Sequence, residues 1–253
     1  GWAFTGLSWV ELLQGNYEAA EQYINQSLAI HYQLSDMLGA ALALVCDSWI
    51  ALYQADVPAA VGKLAACLTM CRELGIVQLS LWPLAGLARL DLHRGNAPQA
   101  RASLEEALRL CQQLNFPPMT TWVYIAFGKL LRLEGDIETA FDYLDRGLML
   151  SRKRDDKSAL VTALEEFATH FAAQNNTVPA AQLFGAAESL RETYGLPLPK
   201  IDGIERDQVM HMLRSNKNVD WNAYWQTGRT LHWDAVTQLI YHRADRLDRG
   251  FAD

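Results

Sequence analysis

With 253 residues, half of them apolar, the chain can bury the core of one or two globular domains or of one solenoid. A formal net charge of −7 argues against nucleic acid as a partner, because phosphate binding needs a basic stripe. The longest apolar run, Met37 to Tyr53, is cut by Asp47 and has the wrong length and flanks for a membrane span, and no basic segment leads into an apolar one as in a secretory signal.

The chain opens with Gly1-Trp2-Ala3-Phe4, already inside a helical pattern and without an initiator Met, so it reads as an excised piece of something longer. From there the sequence repeats every forty residues. Ala20, Ala60, Ala100, Ala140 and Ala180 align. Four positions on come Ile24, Leu64, Leu104, Leu144 and Phe184, and then Ser27, Cys67, Ala107, Gly147 and Ala187. Earlier in each unit, bulky Phe4, Leu44, Leu84, Tyr124 and Leu164 align, as do small Ser8, Ser48, Ala88, Gly128 and Ala168. Alternation of bulky and small residues at three- and four-residue spacing describes two helices per unit that approach closely at the small positions.

The turn inside each unit is equally regular. Gly15, Ala55, Gly95, Gly135 and Asn175 end the first helix, where a left-handed residue is expected. Asn16, Asp56, Asn96, Asp136 and Asn176 follow, with side-chain oxygens suited to capping the second helix. Pro58, Pro98 and Pro179 fall in its first turn, where a missing N–H costs nothing.

The runs Gly15-Asn16-Tyr17-Glu18-Ala19-Ala20 and Gly135-Asp136-Ile137-Glu138-Thr139-Ala140 resemble the turn of a tetratricopeptide (TPR) repeat. Units of forty rather than about 34 residues are similar to those of the sensor domains in MalT-like, LuxR-type bacterial regulators of the STAND class. The segment Ala180 to Arg191, then Gly195-Leu196-Pro197-Leu198-Pro199, resembles the C-terminal end of such regulators, as does Trp221 to Arg229 with Ala235-Val236 after it. The expected fold is therefore all-α: a TPR-like right-handed superhelix of five helix pairs with a C-terminal helical cap. The repeats take residues 1–40, 41–80, 81–120, 121–160 and 161–197, and the cap takes 198–253. The resemblance implies upstream NTPase and effector domains in the full-length protein, and an inducer that shifts its resting state.

A solenoid's last unit leaves an apolar face that a cap must cover. Gly195 to Gly203 reads as a loop, followed by helices near 204–215, 221–227 and 231–246. Asp220 and Thr230 are the expected N-caps and Gly228 the expected stop. Trp221, Trp225 and Trp233 are expected on the fifth repeat, and Asp248 to Asp253 as a frayed end. At the other end Gly1 has no cap, so upstream repeats are expected to be missing, and the bare face left in this piece is open to self-association.

No chemistry-bearing constellation stands out. The phosphate-binding pattern GxxxxGK[ST] is missing, as are GxSxG, HExxH and GxGxxG. Glu166 and His170, four apart, read as a surface ion pair rather than half of a metal site. Cys67 and Cys71 lack a second ligand pair, so with Cys46 and Cys111 they read as buried thiols of a cytoplasmic protein. Neither an enzyme nor a cofactor or metal protein is expected.

The concave face remains. Unit positions two, five, nine, twelve and thirteen of the first helices share one side by helical spacing. All five tryptophans of the repeats fall on two of these positions: Trp2, Trp82 and Trp122 on one, Trp9 and Trp49 on the other. Tyr53, Arg89, His93, Lys129 and Arg132 share the face and give an acidic molecule a basic centre. Aromatic walls with a few cations suit a peptide, protein segment or small-molecule inducer with an anionic group. Trp82, Arg89, Trp122, Lys129 and Arg132 are the expected contacting core. The alternative is a stand-alone scaffold that docks a partner without sensing a small molecule.

Overall fold

In the computed structural model, which describes residues 1–247, the backbone enters the left-handed region at every twentieth position. The ten residues are Gly15, Ser35, Ala55, Gly75, Gly95, Asn115, Gly135, Asp155, Asn175 and Gly195. A left-handed residue lets the last carbonyls of a helix find amide partners in the turn, and so stops the helix there. For Ala55, at φ 59°, the conformation costs about 1–2 kcal/mol, which the packed helices on either side offset.

Among the described residues this spacing yields thirteen helices: α1 (Trp2–Gln14), α2 (Tyr17–Gln33), α3 (Met37–Tyr53), α4 (Val57–Glu73), α5 (Leu81–His93), α6 (Ala97–Leu114), α7 (Pro117–Glu134), α8 (Ile137–Lys153), α9 (Lys157–Ala173), α10 (Thr177–Tyr194), α11 (Lys200–Arg214), α12 (Trp221–Arg229) and α13 (Trp233–Leu247). The first ten form five antiparallel pairs that stack in chain order. The expected frayed end from Asp248 lies outside the described residues.

Asp56 and Asp136 cap as expected, accepting from the Ala59 and Thr139 amides at 3.1 and 3.2 Å. Asp36, Asp156 and Asp220 do the same for α3, α9 and α12, each such cap contributing about 1 kcal/mol. Asn16 and Asn96 depart from the expectation. Their side-chain amides instead donate to Glu11 at 2.8 Å and Asp91 at 3.4 Å, because an acid five residues earlier sits in the preceding last turn.

The scaffold positions lie where the register puts them. The five alanines from Ala20 to Ala180, and the bulky series from Ile24 to Phe184, are fully buried. Small residues of the first helix face them: a Cβ on Gly128 would sit 2.5 Å from Leu144, and Ser8 donates its hydroxyl to the Ala20 carbonyl at 2.8 Å. All four cysteines are buried and free. In α1, Trp2, Leu7, Val10 and Leu13 are exposed. Forty residues on from Val10, its counterparts Ile50, Leu90, Leu130 and His170 are buried, each in a helix with a preceding pair alongside.

The cap differs from the expectation in three places. α11 starts at Lys200, inside the stretch read as a loop. Thr230 caps nothing; it closes α12 and donates its hydroxyl to the Thr227 carbonyl at 2.9 Å, while α13 begins at Trp233. Gly228 is not a stop but a point of close approach inside α12. A Cβ there would lie 2.0 Å from the Gln182 carbonyl oxygen, and one on Gly185 would lie 2.1 Å from that of Trp225. Two glycines thus let α10 and α12 meet backbone to backbone. Trp221 is buried against Phe184, and Trp225 and Trp233 are partly buried on the same core. The Arg152 guanidinium stacks 4.2 Å above Trp233.

Gly228→Ala and Gly185→Ala should therefore each destabilise the chain by about 1–3 kcal/mol by overpacking this crossing. Gly62→Ala, in the open middle of α4 with nothing near its Cβ, should stabilise by about 0.5–1 kcal/mol. Urea unfolding midpoints of the three variants check both signs.

Candidate functional site

The first helices of the first four units, α1, α3, α5 and α7, bring the predicted groove residues onto one concave face. Trp82 meets Trp9 at 5.5 Å and Trp49 at 5.9 Å between ring centroids, and Trp49 meets Tyr53 at 5.6 Å. The Arg89 guanidinium lies over this wall, 5.1 Å from Tyr53 and 6.0 Å from Trp49. Trp122 lines the next stretch with Lys129. His93 is half-buried at the end of α5 and, among the described residues, makes none of the ring contacts or ion pairs of the cluster. Position twelve proves to be core, since Leu12 and Leu52 are fully buried. Trp2 joins an open cleft of about 190 Å³ with Leu42, Leu79, Trp82 and Phe116.

The groove is not empty: α11 lies in it. The loop before α11 crosses to the first unit, where Pro197 packs against Gly15. Ile201 is then buried in the apolar cluster of the first two units. One residue on, Asp202 receives both Nε and Nη2 of Arg89, the former at 3.0 Å. One turn further, Glu205 receives Lys129 and, at 2.8 Å, Arg132. The same two cations face Glu166 of α9 at 3.8 and 3.3 Å. Arg206 pairs with Glu188 and, at 3.4 Å, with Glu165, whose carboxylate also takes a bidentate pair from Arg191 at 2.9 and 2.6 Å. A helix about 22 Å long by its fifteen residues thus touches the inner face from the first unit to the fifth.

Beneath α11 a cavity of about 60 Å³ is lined by Trp49, Leu92, Trp122 and Ile125, with Arg89, Lys129 and Asp202 at its edge. That holds a few waters, well below the roughly 300–1,000 Å³ of an ordinary small-molecule pocket.

Residues 6–244 match the MalT-like TPR region family. The chain belongs to this family. It is also similar in structure to a Signal Transduction ATPase with Numerous Domains (STAND) protein with a tetratricopeptide repeat sensor from Pyrococcus horikoshii, at 18% identity and a TM-score of 0.56. That likeness covers 97% of this chain and 38% of the other, so the chain spans well under half of its neighbour's length. No curated protein matches it.

Electrostatics in this MalT-like TPR region follow from burial and pairing. Burial opposes the charge on Arg89, Lys129 and Arg132, but the facing carboxylates outweigh it and hold all three above their usual values. Burial also pushes Glu205 up; Lys129 and Arg132 overcome this and hold it down to about 2. Glu166, deeper, stays raised because burial wins over the same two cations. Removing one partner from such a network costs about 3–5 kcal/mol.

Glu166 and His170 form no surface ion pair. Glu166 serves Lys129 and Arg132, while His170 is fully buried beside Phe141 and Phe171 with neither ring nitrogen bonded. It occupies the core position held by Ile50, Leu90 and Leu130 in earlier units. No group of three or more metal-ligating side chains is gathered among the described residues.

Burial, with Arg132 adding to it, lowers His170 from 6.5 to about 4. The folded imidazole therefore stays neutral where the unfolded one charges, so its stabilising effect is full above pH 6.5 and is lost as pH falls toward 4. Over that window the chain should lose about 3 kcal/mol. His170→Leu should keep that stability. Urea midpoints of both proteins at pH 7, 5.5 and 4 check this; parallel slopes would refute it.

Proposed function

We propose that this chain is the ligand-sensing and interaction domain of a bacterial STAND-type, LuxR-like transcriptional regulator. It is non-catalytic and cytoplasmic, and it takes an inducer or peptide in its concave groove. The observation that carries the reading is the convergence of the Trp9–Trp49–Tyr53–Trp82 wall with Arg89, Lys129 and Arg132 along the inner face. Membership of the MalT-like TPR family supports it, as does the likeness to a protein described as a STAND ATPase with a TPR sensor. In this reading the NTPase and effector domains belong to the rest of the full-length protein, and the exposed α1 face of Leu7, Val10 and Leu13 serves contacts with neighbouring repeats or with a second copy. A ligand acts only by binding one state better than another.

The second reading is a scaffold that docks a helix or peptide and senses no small molecule. The helix already seated in the groove favours it.

A thermal-shift screen of metabolites and short peptides tests the proposal. A groove ligand at a hundred times its Kd stabilises by about 2.7 kcal/mol, or roughly 5 °C or more for a chain of this size. The shift should vanish in Arg89→Ala/Lys129→Ala, judged against that variant's own ligand-free melting. An undiminished shift in the variant would remove the groove from the reading.

A further inference from the structure

The groove on which the proposed function rests is filled by the chain's own helix, and the manner of filling has a consequence of its own. The groove-facing contacts of the first half of α11 are one apolar anchor, Ile201, followed by carboxylates one and four residues on. Those carboxylates neutralise the cations that make the groove distinctive. The other side of α11, including Ile204, Asp207 and Met212, is exposed. The helix starts where a sixth first helix would fall, yet it lies in the groove, and it is joined to α10 through left-handed Gly195 and a loop carrying Pro197 and Pro199. It is held by apolar anchors at its two ends, Ile201 at the start and Met210 with Leu213 near the finish, by charge pairs between them, and it is open to water behind.

We propose that α11 is a tethered stand-in for the groove's partner, and that this partner is an acidic amphipathic helix presented by another polypeptide. The partner's apolar residue takes the place of Ile201. Its carboxylates, one and four positions on, take Arg89 and then Lys129 with Arg132. Charge complementarity and the shape of the seated occupant both point to a helix. So does the cavity that α11 leaves beside Trp49 and Trp122, which at about 60 Å³ admits no sizeable ligand while α11 is in place. Partner and α11 compete for the same three cations, so docking of one requires release of the other. The inference rests on the groove being the binding face, and it narrows the occupant to one chemical class.

The probe is a labelled peptide with the sequence Lys200 to Leu213, titrated into the whole chain by fluorescence anisotropy. Asp202→Asn/Glu205→Gln, which unpairs α11, should bind it about tenfold or more tighter than the unaltered chain. A peptide with its Asp202 and Glu205 changed to Asn and Gln should bind about tenfold more weakly. Equal binding of the two peptides, or no binding to the unpaired variant, overturns the proposal.

Should that variant fail to fold, hydrogen exchange on the unaltered chain decides. α11 amides should exchange about tenfold faster as salt rises from about 0.05 to 0.5 M, because the pairs that hold them are screened, with α3 and α7 unaffected. Protection of α11 equal to that of α7 at both salt levels makes it a permanent part of the core and overturns the proposal. A small molecule that shifts melting through Arg89 without any peptide binding overturns this inference and leaves the sensor reading standing.

Discussion

The twenty-residue interval between left-handed residues is the constraint on which everything else in this molecule depends. Each such residue stops one helix and starts the next on the same schedule, so all five pairs have nearly the same length and present the same face inward. Only with that regularity do positions forty apart fall beside one another in space. The alanines and bulky residues that pack the pairs, and the aromatic and cationic residues that line the groove, are two readings of one period. A slip of one residue in any turn would rotate every later helix by about 100° and scatter both sets.

Given that frame, charge decides what the inner face can do. Arg89, Lys129, Arg132, Arg191 and Arg206 meet Glu165, Glu166, Glu188, Asp202 and Glu205 in a partly buried network of three neighbouring groups, Arg89 with Asp202, Lys129 and Arg132 with Glu166 and Glu205, and Arg191 and Arg206 with Glu165 and Glu188, within a molecule whose net charge is −7. A buried pair gains little over a well-packed apolar one, but a buried charge that loses its partner is costly. The network therefore tolerates exchange of one set of carboxylates for another far better than it tolerates none. That asymmetry is what a binding face needs in order to stay closed without a ligand and open with one. His170 adds a second polar liability nearby, in a position the repeat elsewhere fills with Val, Ile or Leu.

The scaffold was legible because its signals recur. Ala20 to Ala180, and the turn residues from Gly15 to Asn175, each appear five times, and chance rarely aligns so many. The aromatic wall was legible for the same reason, since Trp82 and Trp122 share a register position. What could not be read was whatever occurs once. α11 starts where a sixth first helix would fall but turns back into the groove, and nothing in its sequence announces that Asp202 and Glu205 return to Arg89 and Lys129, across 113 residues in the first case. Gly228 looked like a helix stop because that is glycine's commonest role near a helix end. Its actual role depends on Gly185, forty-three residues earlier, and only a three-dimensional crossing joins them. The alternation of acid and amide in the caps had a signal that went unused: Glu11 and Asp91 precede Asn16 and Asn96 by five residues and draw their side chains away.

A solenoid without α11 would be a row of neighbours, each unit touching only the next, with stability summed pair by pair. α11 breaks that rule. With the preceding loop resting Pro197 on Gly15, and its own Ile201 resting in the cluster of the first two units and Arg206 on the last, it ties the ends of the row together across the inside of the curve. On the proposal that α11 is released, its departure does more than vacate a site: it removes the element that, among the described residues, couples distant units, and leaves the stack free to change its pitch. On that proposal, binding in the groove and the shape of the superhelix are the same equilibrium. A tethered segment competes at an effective concentration in the millimolar range, so any external occupant binds with its intrinsic affinity reduced by the fraction of molecules in which α11 is out. In the proposed exchange, the strength of the five ion pairs along this short helix is thus the quantity that sets the threshold for an external occupant.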